Sequence, residues 1–316
     1  MTVSDDDLVQ MYRYMVLCRA FEEKMCSIGR TWHSSIGNEG TIVGTFFKLS
    51  KDDVISPHYR TNASALLVRG VPPKQLMASL LGRKADFGMK LWAELRVLPR
   101  VAGVEGSIIP ISAGAALASK LKKTGQVVVI GTGDGSICLG DFHEGLNLAA
   151  VLKVPLVITI VNNLVYMHVP MEKYTLIKDI ADWAASYGVP TVSIDGNDVL
   201  AVHKAVQEAV KKAREGEGPV LIDCKTYRVT GHTVPDPIDP NLYWARWREE
   251  IEKWNEMDPI KRLKGVLLEK GSLTERGVTE IYEQARREIE EAYNFAKNLP
   301  PLGKEEVSKM EKFVFV

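Results

Sequence analysis

The chain has 316 residues, its 40 lysines and arginines balance 40 aspartates and glutamates, and 46% of it is hydrophobic. That length supports one large domain or two small ones. The zero net charge argues against a general nucleic-acid binder, and the ordinary composition excludes a disordered chain or a disulfide scaffold. Cys18, Cys26, Cys138 and Cys224 form no CxxC pair, which speaks against a structural zinc site and suits a reducing cytosol. The N-terminus MTVSDDDL lacks the apolar core of a signal peptide. The most apolar stretches, around Ser107–Ala118 and Leu156–Val161, are shorter than the ~20 residues a bilayer span needs. The expectation is a soluble cytoplasmic protein bound to neither membrane nor nucleic acid.

In chain order, residues 4–28 predict a helix: Ser4 and Asp7 resemble a capping box, Leu8, Met11, Tyr12, Met15 and Cys18 recur at helical spacing, and Gly29 would end it. GNEGTIVGTFFKL, from Gly37, reads as a second helix, KDDVISPHYR as a turn feeding an extended piece, and Pro72-Pro73 opens a helix through Leu81. Residues 82–106 show no clean period. IIPISAGAALA carries small residues suited to close helix packing. The clearest rhythm follows: a buried strand at Val127–Ile130, a glycine-rich turn at Gly131–Gly135, a helix at 141–152 and a strand PLVITIV running into Asn162-Asn163. A helix near 179–187, a strand at 191–195, a helix at 198–214 and a strand at 219–228 complete it. Apolar strands alternating with amphipathic helices imply an α/β fold, a mainly parallel sheet with helices on both faces. After residue 228 come a loop with Pro235, Pro237 and Pro240, three charged helical runs (243–255, 258–270 and 273–298) and an unread tail, Lys309–Val316. The expected division is an α/β ligand-binding domain at 1–228 and a loop plus helical extension packed on it at 229–316.

Gly133-Asp134-Gly135 and Asn162-Asn163 both fall at carboxyl ends of predicted parallel strands, the edge where open α/β sheets bind ligands. Aspartate and asparagine offer hard oxygens that, with a main-chain carbonyl and phosphate oxygens, complete the octahedron of Mg²⁺. The glycines would let main chain approach a diphosphate, and the helix from Asp141 would add a weakly positive end. A plain tight turn is the alternative at both places. Tyr59 and Arg60 also read as a surface pair, and His232 as an exposed loop histidine. His143 reads as a packing or capping residue, Glu144 as a structural hydrogen-bonder, and Arg246–Glu252 as a solvated helix face. His33, His58 and His168 carry no metal spacing.

The run GDGSICLGDFHEGLNLAAVLKVPLVITIVNN resembles the thiamine diphosphate motif, GDG followed by a helix and NN. In order along nearly the whole chain, WHSSIGNEGTIVG, HYR, GVEGSIIPISAGAAL, YGVPTVSIDGNDVLAV, TYRVTGHTVPDP and DPIKRL are similar to segments of one family. That family is the α subunits of the decarboxylating component of 2-oxoacid dehydrogenase complexes, whose relatives act on pyruvate, branched-chain 2-oxoacids or acetoin.

The resemblance implies thiamine diphosphate and Mg²⁺ as cofactors. Asp134 and Asn163 would ligate Mg²⁺ through side chains and Val165 through its carbonyl. Gly133, Gly135 and Ser136 would form the diphosphate loop, and Tyr59 and Arg60 would reach the diphosphate, where a guanidinium fork matches phosphate oxygens. His232 would be catalytic at the cofactor mouth, donating to phosphate or to the reacting acyl group. Gly103 and Glu105 would lie along the aminopyrimidine through main-chain atoms. The implied reaction is decarboxylation of a 2-oxoacid with acyl transfer to lipoyl. The implied partners are a β subunit, in a heterotetramer of two α and two β subunits that share the active site, and a lipoyl-bearing acyltransferase. Asn62 replaces a family histidine, Glu105 a small apolar residue and Ile108 a glutamine. Residues 84–106 lack the family's basic glycine-rich segment, and Thr233 stands where some relatives carry a regulatory serine. A degenerate or regulatory homologue, an acetoin dehydrogenase subunit and a transketolase-like half are the other readings.

Overall fold

A computed structural model of the chain describes residues 3–84, 94–98, 105–234 and 245–304. Helix α1 (Asp5–Ser27) begins where the Ser4 side chain accepts the Asp7 amide at 3.2 Å, and the chain leaves it through Gly29 at φ +77°. Helices α2 (Glu39–Phe46), α3 (Asn62–Val68) and α4 (Pro73–Leu80) flank the short strand β1 (Val54–Ser56). Helix α5 (Ile108–Lys122) precedes β2 (Val128–Gly133), a 3₁₀ turn (Asp134–Cys138) and α6 (Gly140–Leu152). Strand β3 (Leu156–Asn162) leads into a two-stranded hairpin, β4 (Val165–Tyr166) and β5 (Val169–Pro170), and one helical turn, α7 (Met171–Tyr174). Then come α8 (Ile180–Ala185), β6 (Thr191–Asp195), α9 (Val199–Arg214) and β7 (Val220–Lys225). Last are α10 (Ala245–Glu256), α11 (Pro259–Glu269) and α12 (Glu275–Asn298).

The central sheet has five strands in the order β1-β2-β3-β7-β6, all parallel, as the alternation of strands and helices predicts. Successive side chains of a strand point to opposite faces. Val127 and Val129 therefore enter one apolar layer with α1, α2, α3, α9 and α12. Val128 and Ile130 enter the other, with Ile108, Phe142, Ile180 and their neighbours. With both faces covered, each β-branched side chain contributes roughly 1.5–3 kcal/mol by leaving water. The last helix lies against α4 and α1, joined by ion pairs such as Lys24–Glu290 at 2.6 Å.

Several boundaries differ from the sequence expectation. Gly131 and Gly133 belong to β2 and pair with Thr159 and Val161; the turn starts only at Asp134. The glycines serve neighbours that reach over the strand, so their presence does not mark its end. Strand β7 stops at Lys225, its last ladder bond running from the Thr226 amide to the Asn162 carbonyl at 2.8 Å. Glu144, read as a structural hydrogen-bonder, is exposed on α6 with no hydrogen bond to a described residue, whereas His143 packs as expected, with Nδ1 2.7 Å from the Tyr187 hydroxyl. Within Arg246–Glu252, Glu250 is no free solvated group: it accepts the Tyr227 hydroxyl at 2.7 Å. Helices α3, α5 and α7 and the hairpin were not assigned from sequence. The tail Lys309–Val316 and Pro235–Pro240 lie outside the described residues.

Helix α2 crosses α9 where Gly44 meets Val202. A Cβ built on Gly44 would fall 2.6 Å from the Val202 Cβ and 2.9 Å from the Val199 carbonyl oxygen. Gly44→Ala is expected to destabilise the fold by about 1–3 kcal/mol through overpacking, read as a lowered urea midpoint with an unchanged denaturant slope.

Candidate active site

Strands β2 and β3 are neighbours, and their carboxyl ends deliver Asp134 and Asn163 to the same point. Asp134 is 2% exposed. Its Oδ2 accepts the Tyr174 hydroxyl at 2.6 Å. Burial pushes its pKa above the ordinary carboxylate value, and the Tyr174 hydroxyl, the nearby main-chain amides of Asp134 and Asn163 and the charge of Arg228 pull it back only in part. Asn163 is also buried, and its Oδ1 accepts the Val165 amide at 3.3 Å.

The turn that presents these groups is braced from behind. Asn162 donates Nδ2 to Asp223 Oδ1 at 2.9 Å and accepts the Leu164 amide at 3.2 Å. Ser193 donates to the other Asp223 oxygen at 3.1 Å. Desolvation raises the Asp223 pKa to about 6. Leu164 and Met167 hold φ of +65° and +52°, strained values for residues with side chains.

Two glycines are explained by what lies over them. A Cβ at Gly133 would sit 3.0 Å from His58 Nε2 and 3.3 Å from Glu105 Oε2. At Gly135 it would fall 2.1 Å from the Tyr166 ring. The side of Gly135 that a Cβ would occupy is therefore covered by Tyr166. Glu105 turns its carboxylate onto the end of β2, 3.3 Å from the Gly133 amide and 3.3 Å from His58 Nε2. Ser136 is buried, and its hydroxyl donates to the Gly133 carbonyl beside Thr132 Oγ1. Gly103 lies outside the described residues.

Beside this carboxylate corner is a cationic one. Arg60 is 2% exposed and donates to the Ser34 and His232 carbonyls, both at 3.1 Å, and to the Tyr59 hydroxyl at 3.4 Å. Its Nε is buried without a partner, so Arg60 is not the surface group that sequence left open. Arg228, also buried, gives a 2.6 Å bond to the Met167 carbonyl. Burial and the charge of Arg60 lower its pKa to about 10. Nδ1 of His232 lies 3.4 Å from each guanidinium. Two donors on Nδ1 leave the ring proton on Nε2. Desolvation, then Arg60 and Arg228, depress the His232 pKa to about 4, so the ring is neutral at pH 7. The loop carrying it is tied down by reciprocal Trp32–Val234 main-chain bonds of 3.3 and 2.8 Å. Trp32 is held in turn by the buried Glu22 at 2.6 Å.

Sequence reasoning singled out Asp134, Asn163, Arg60 and His232, which meet in one region; Tyr59 stacks edge-on with His33, ring centroids 4.8 Å apart. It missed Arg228 and Tyr174. Arg228 stands four residues before His232 in a strand-exit segment, a spacing that could have drawn notice; Tyr174 carries no local signal. A cavity of about 630 Å³, lined by Leu164, Val165, His168, Met171, Tyr227 and Trp254 among others, opens beside the hairpin. Among the described residues no cluster of three metal-ligating His, Cys, Asp or Glu side chains occurs. No described helix is long and apolar enough to cross a membrane.

A parallel sheet with buried oxygen-bearing side chains at adjacent strand ends and a buried cationic corner beside them is the arrangement of an α/β enzyme with its site at the carboxyl edge of the sheet. Residues 9–305 match the family described as Dehydrogenase E1 component. The 2-oxoisovalerate dehydrogenase subunit alpha of Bacillus subtilis is 34% identical over 315 residues, covering 94% of this chain and 93% of that one. The pyruvate dehydrogenase E1 component subunit alpha of Bacillus subtilis is 32% identical, covering 99% of this chain and 83% of its own length. The 3-methyl-2-oxobutanoate dehydrogenase subunit alpha of Mycobacterium tuberculosis (strain CDC 1551 / Oshkosh) is 32% identical, covering 96% and 82%. The chain belongs to the dehydrogenase E1 component family, among the α subunits of 2-oxoacid dehydrogenases.

His232 gives a pH prediction. Its folded-state pKa of about 4 lies below the ordinary 6.5. The stability gained by keeping the ring neutral is therefore full above 6.5 and is lost as pH falls toward 4. In urea titrations across that window, His232→Gln is expected to lose stability less steeply than the parent chain. In NMR titrations of the parent, inorganic diphosphate is expected to move the His232 midpoint upward.

Proposed function

We propose that this α subunit holds the diphosphate end of thiamine diphosphate through Mg²⁺ and shares its active site with a β subunit. The reading rests on one observation: the parallel register that sets Gly133 beside Val161 brings the buried Asp134 and Asn163 together at adjacent strand ends, two hard-oxygen residues where no described lysine or arginine donates to the carboxylate. A buried carboxylate with no counter-charge hydrogen-bonded to it is costly, and a divalent cation supplies one at contact. Asp134 and Asn163 would ligate it through side-chain oxygens and Val165 through its carbonyl, which suits the all-oxygen shell of Mg²⁺.

The residues also fit a diphosphate. Arg60 has a buried Nε with no partner, and the Arg228 pKa is depressed by burial and by the charge of Arg60; an anion between them would relieve both. Tyr59 would add a hydroxyl, Gly133, Gly135 and Ser136 main-chain groups, and His232 an Nε2–H donor to phosphate or to the acyl group being transferred. Gly103 and Glu105 would border the aminopyrimidine. Thiamine diphosphate, when bound, supplies the electron sink that decarboxylation of a 2-oxoacid requires. The chain's contribution is to fix that group, neutralise its charge and keep a neutral imidazole at the mouth of the site. The acyl product would pass to the lipoyl group of an acyltransferase component. The division into a domain at 1–228 and a helical extension at 229–316, and a cytoplasmic location in keeping with four free cysteines, belong to the same proposal.

The test is calorimetry and turnover with the full chain, alone and with a co-purified β subunit, using pyruvate and 3-methyl-2-oxobutanoate as substrates. Thiamine diphosphate is expected to bind only with Mg²⁺ present, and Asp134→Ala to weaken that binding by about 100-fold or more. Robust decarboxylation by the chain alone would overturn the shared site; tight metal-independent binding would overturn the role of Asp134.

A further inference from the structure

We propose that Tyr174 is a positioning residue that makes Asp134 a one-oxygen ligand and thereby biases the site toward a small octahedral cation. The inference rests on the metal reading above. Tyr174 ends α7, and its hydroxyl donates to Oδ2 of Asp134 at 2.6 Å, the short distance of a charge-assisted bond. The ring is not free to leave. The Met171 amide is bonded to the Leu164 carbonyl at 2.9 Å and the Thr175 amide to the Met171 carbonyl at 3.1 Å. The Cys138 thiol donates to the Tyr174 carbonyl at 3.6 Å. Tyr166 packs edge-on against the ring with centroids 5.9 Å apart, and is itself seated on Gly135. The hairpin thus delivers one hydroxyl to one carboxylate oxygen.

Divalent cations differ in what they ask of a carboxylate. Ca²⁺ takes 6–8 oxygens at ~2.3–2.6 Å and commonly engages both oxygens of one carboxylate. Mg²⁺ demands six at ~2.0–2.1 Å and binds carboxylates through one oxygen. With Oδ2 occupied by Tyr174, Asp134 offers a single oxygen in a fixed direction. Groups behind the ligands tune metal sites in this way, and their loss typically changes affinity about 10–100-fold. Removing the hydroxyl would free Oδ2 and let the carboxylate rotate into two-oxygen ligation.

The full chain, with its co-purified β subunit, would be titrated separately with Mg²⁺ and Ca²⁺ at fixed thiamine diphosphate, with cofactor binding followed by calorimetry. The parent is expected to prefer Mg²⁺. Tyr174→Phe should lower the Mg²⁺-to-Ca²⁺ affinity ratio about tenfold, with the metal-free melting temperature unchanged. Tyr187→Phe, whose hydroxyl meets His143 far along the chain, should leave the ratio at the parent value. An unchanged ratio in a folded Tyr174→Phe overturns the proposal. Cofactor binding by the parent that needs no divalent ion overturns the metal reading beneath it, a distinguishable result. Should Tyr174→Phe fail to fold, the parent alone decides: Mg²⁺ should perturb tyrosine absorbance in the near ultraviolet, and its failure to do so sinks the proposal.

Discussion

A buried carboxylate to which no described lysine or arginine donates a hydrogen bond governs this molecule. Asp134 sits at the end of an interior strand, and burial raises its pKa despite the hydrogen bond from Tyr174. Nothing in folding alone rewards that arrangement, since an apolar residue at the same place would carry no desolvation cost. The supporting parts make sense as devices to hold the carboxylate where it is. The helical turn α7 supplies the Tyr174 hydroxyl, and the Asp223–Asn162–Ser193 chain of hydrogen bonds fixes the turn after β3 from the opposite side.

The cationic corner has the opposite problem and the same logic. Burial and the charge of Arg60 disfavour the charge on Arg228, and burial beside both guanidiniums keeps His232 neutral. Glu22, buried in α1 with its pKa raised to about 7, does not neutralise them; its bonds go to Trp32, Ser35 and Ser64. Negative charge is thus present nearby but spent on anchoring the loop that carries His232. Separating the anchoring acid from the guanidinium pair leaves that pair able to meet an anion.

Much of this was legible in the sequence because buried parallel strands announce themselves. The valine and isoleucine runs before Asp134 and Asn163 fixed both residues at strand ends, and the order of short segments between WHSSIGNEG and DPIKRL gave the family. What was not legible depended on contacts distant in the chain. Gly131 and Gly133 read as a turn because glycine usually means one. They are strand residues that make room for His58 and Glu105, and no local pattern reports that. The hairpin after Asn163 turns on Leu164 and Met167, neither a residue that advertises positive φ, so Tyr174 was given no place. Arg228 was quoted within TYRVTGH but passed over, since its burial beside Arg60 exists only in three dimensions.

The alternation of β2 between two apolar layers has a consequence for how this chain can change over generations. Val127 and Val129 feed one layer while Val128 and Ile130 feed the other, and the same strand ends one residue before Asp134. Insertion or loss of a single residue there would exchange the occupants of both layers at once and carry the carboxylate off its mark. The strand is therefore open to replacement of one side chain by another but closed to any alteration of length, and divergence must be channelled into the loops around it.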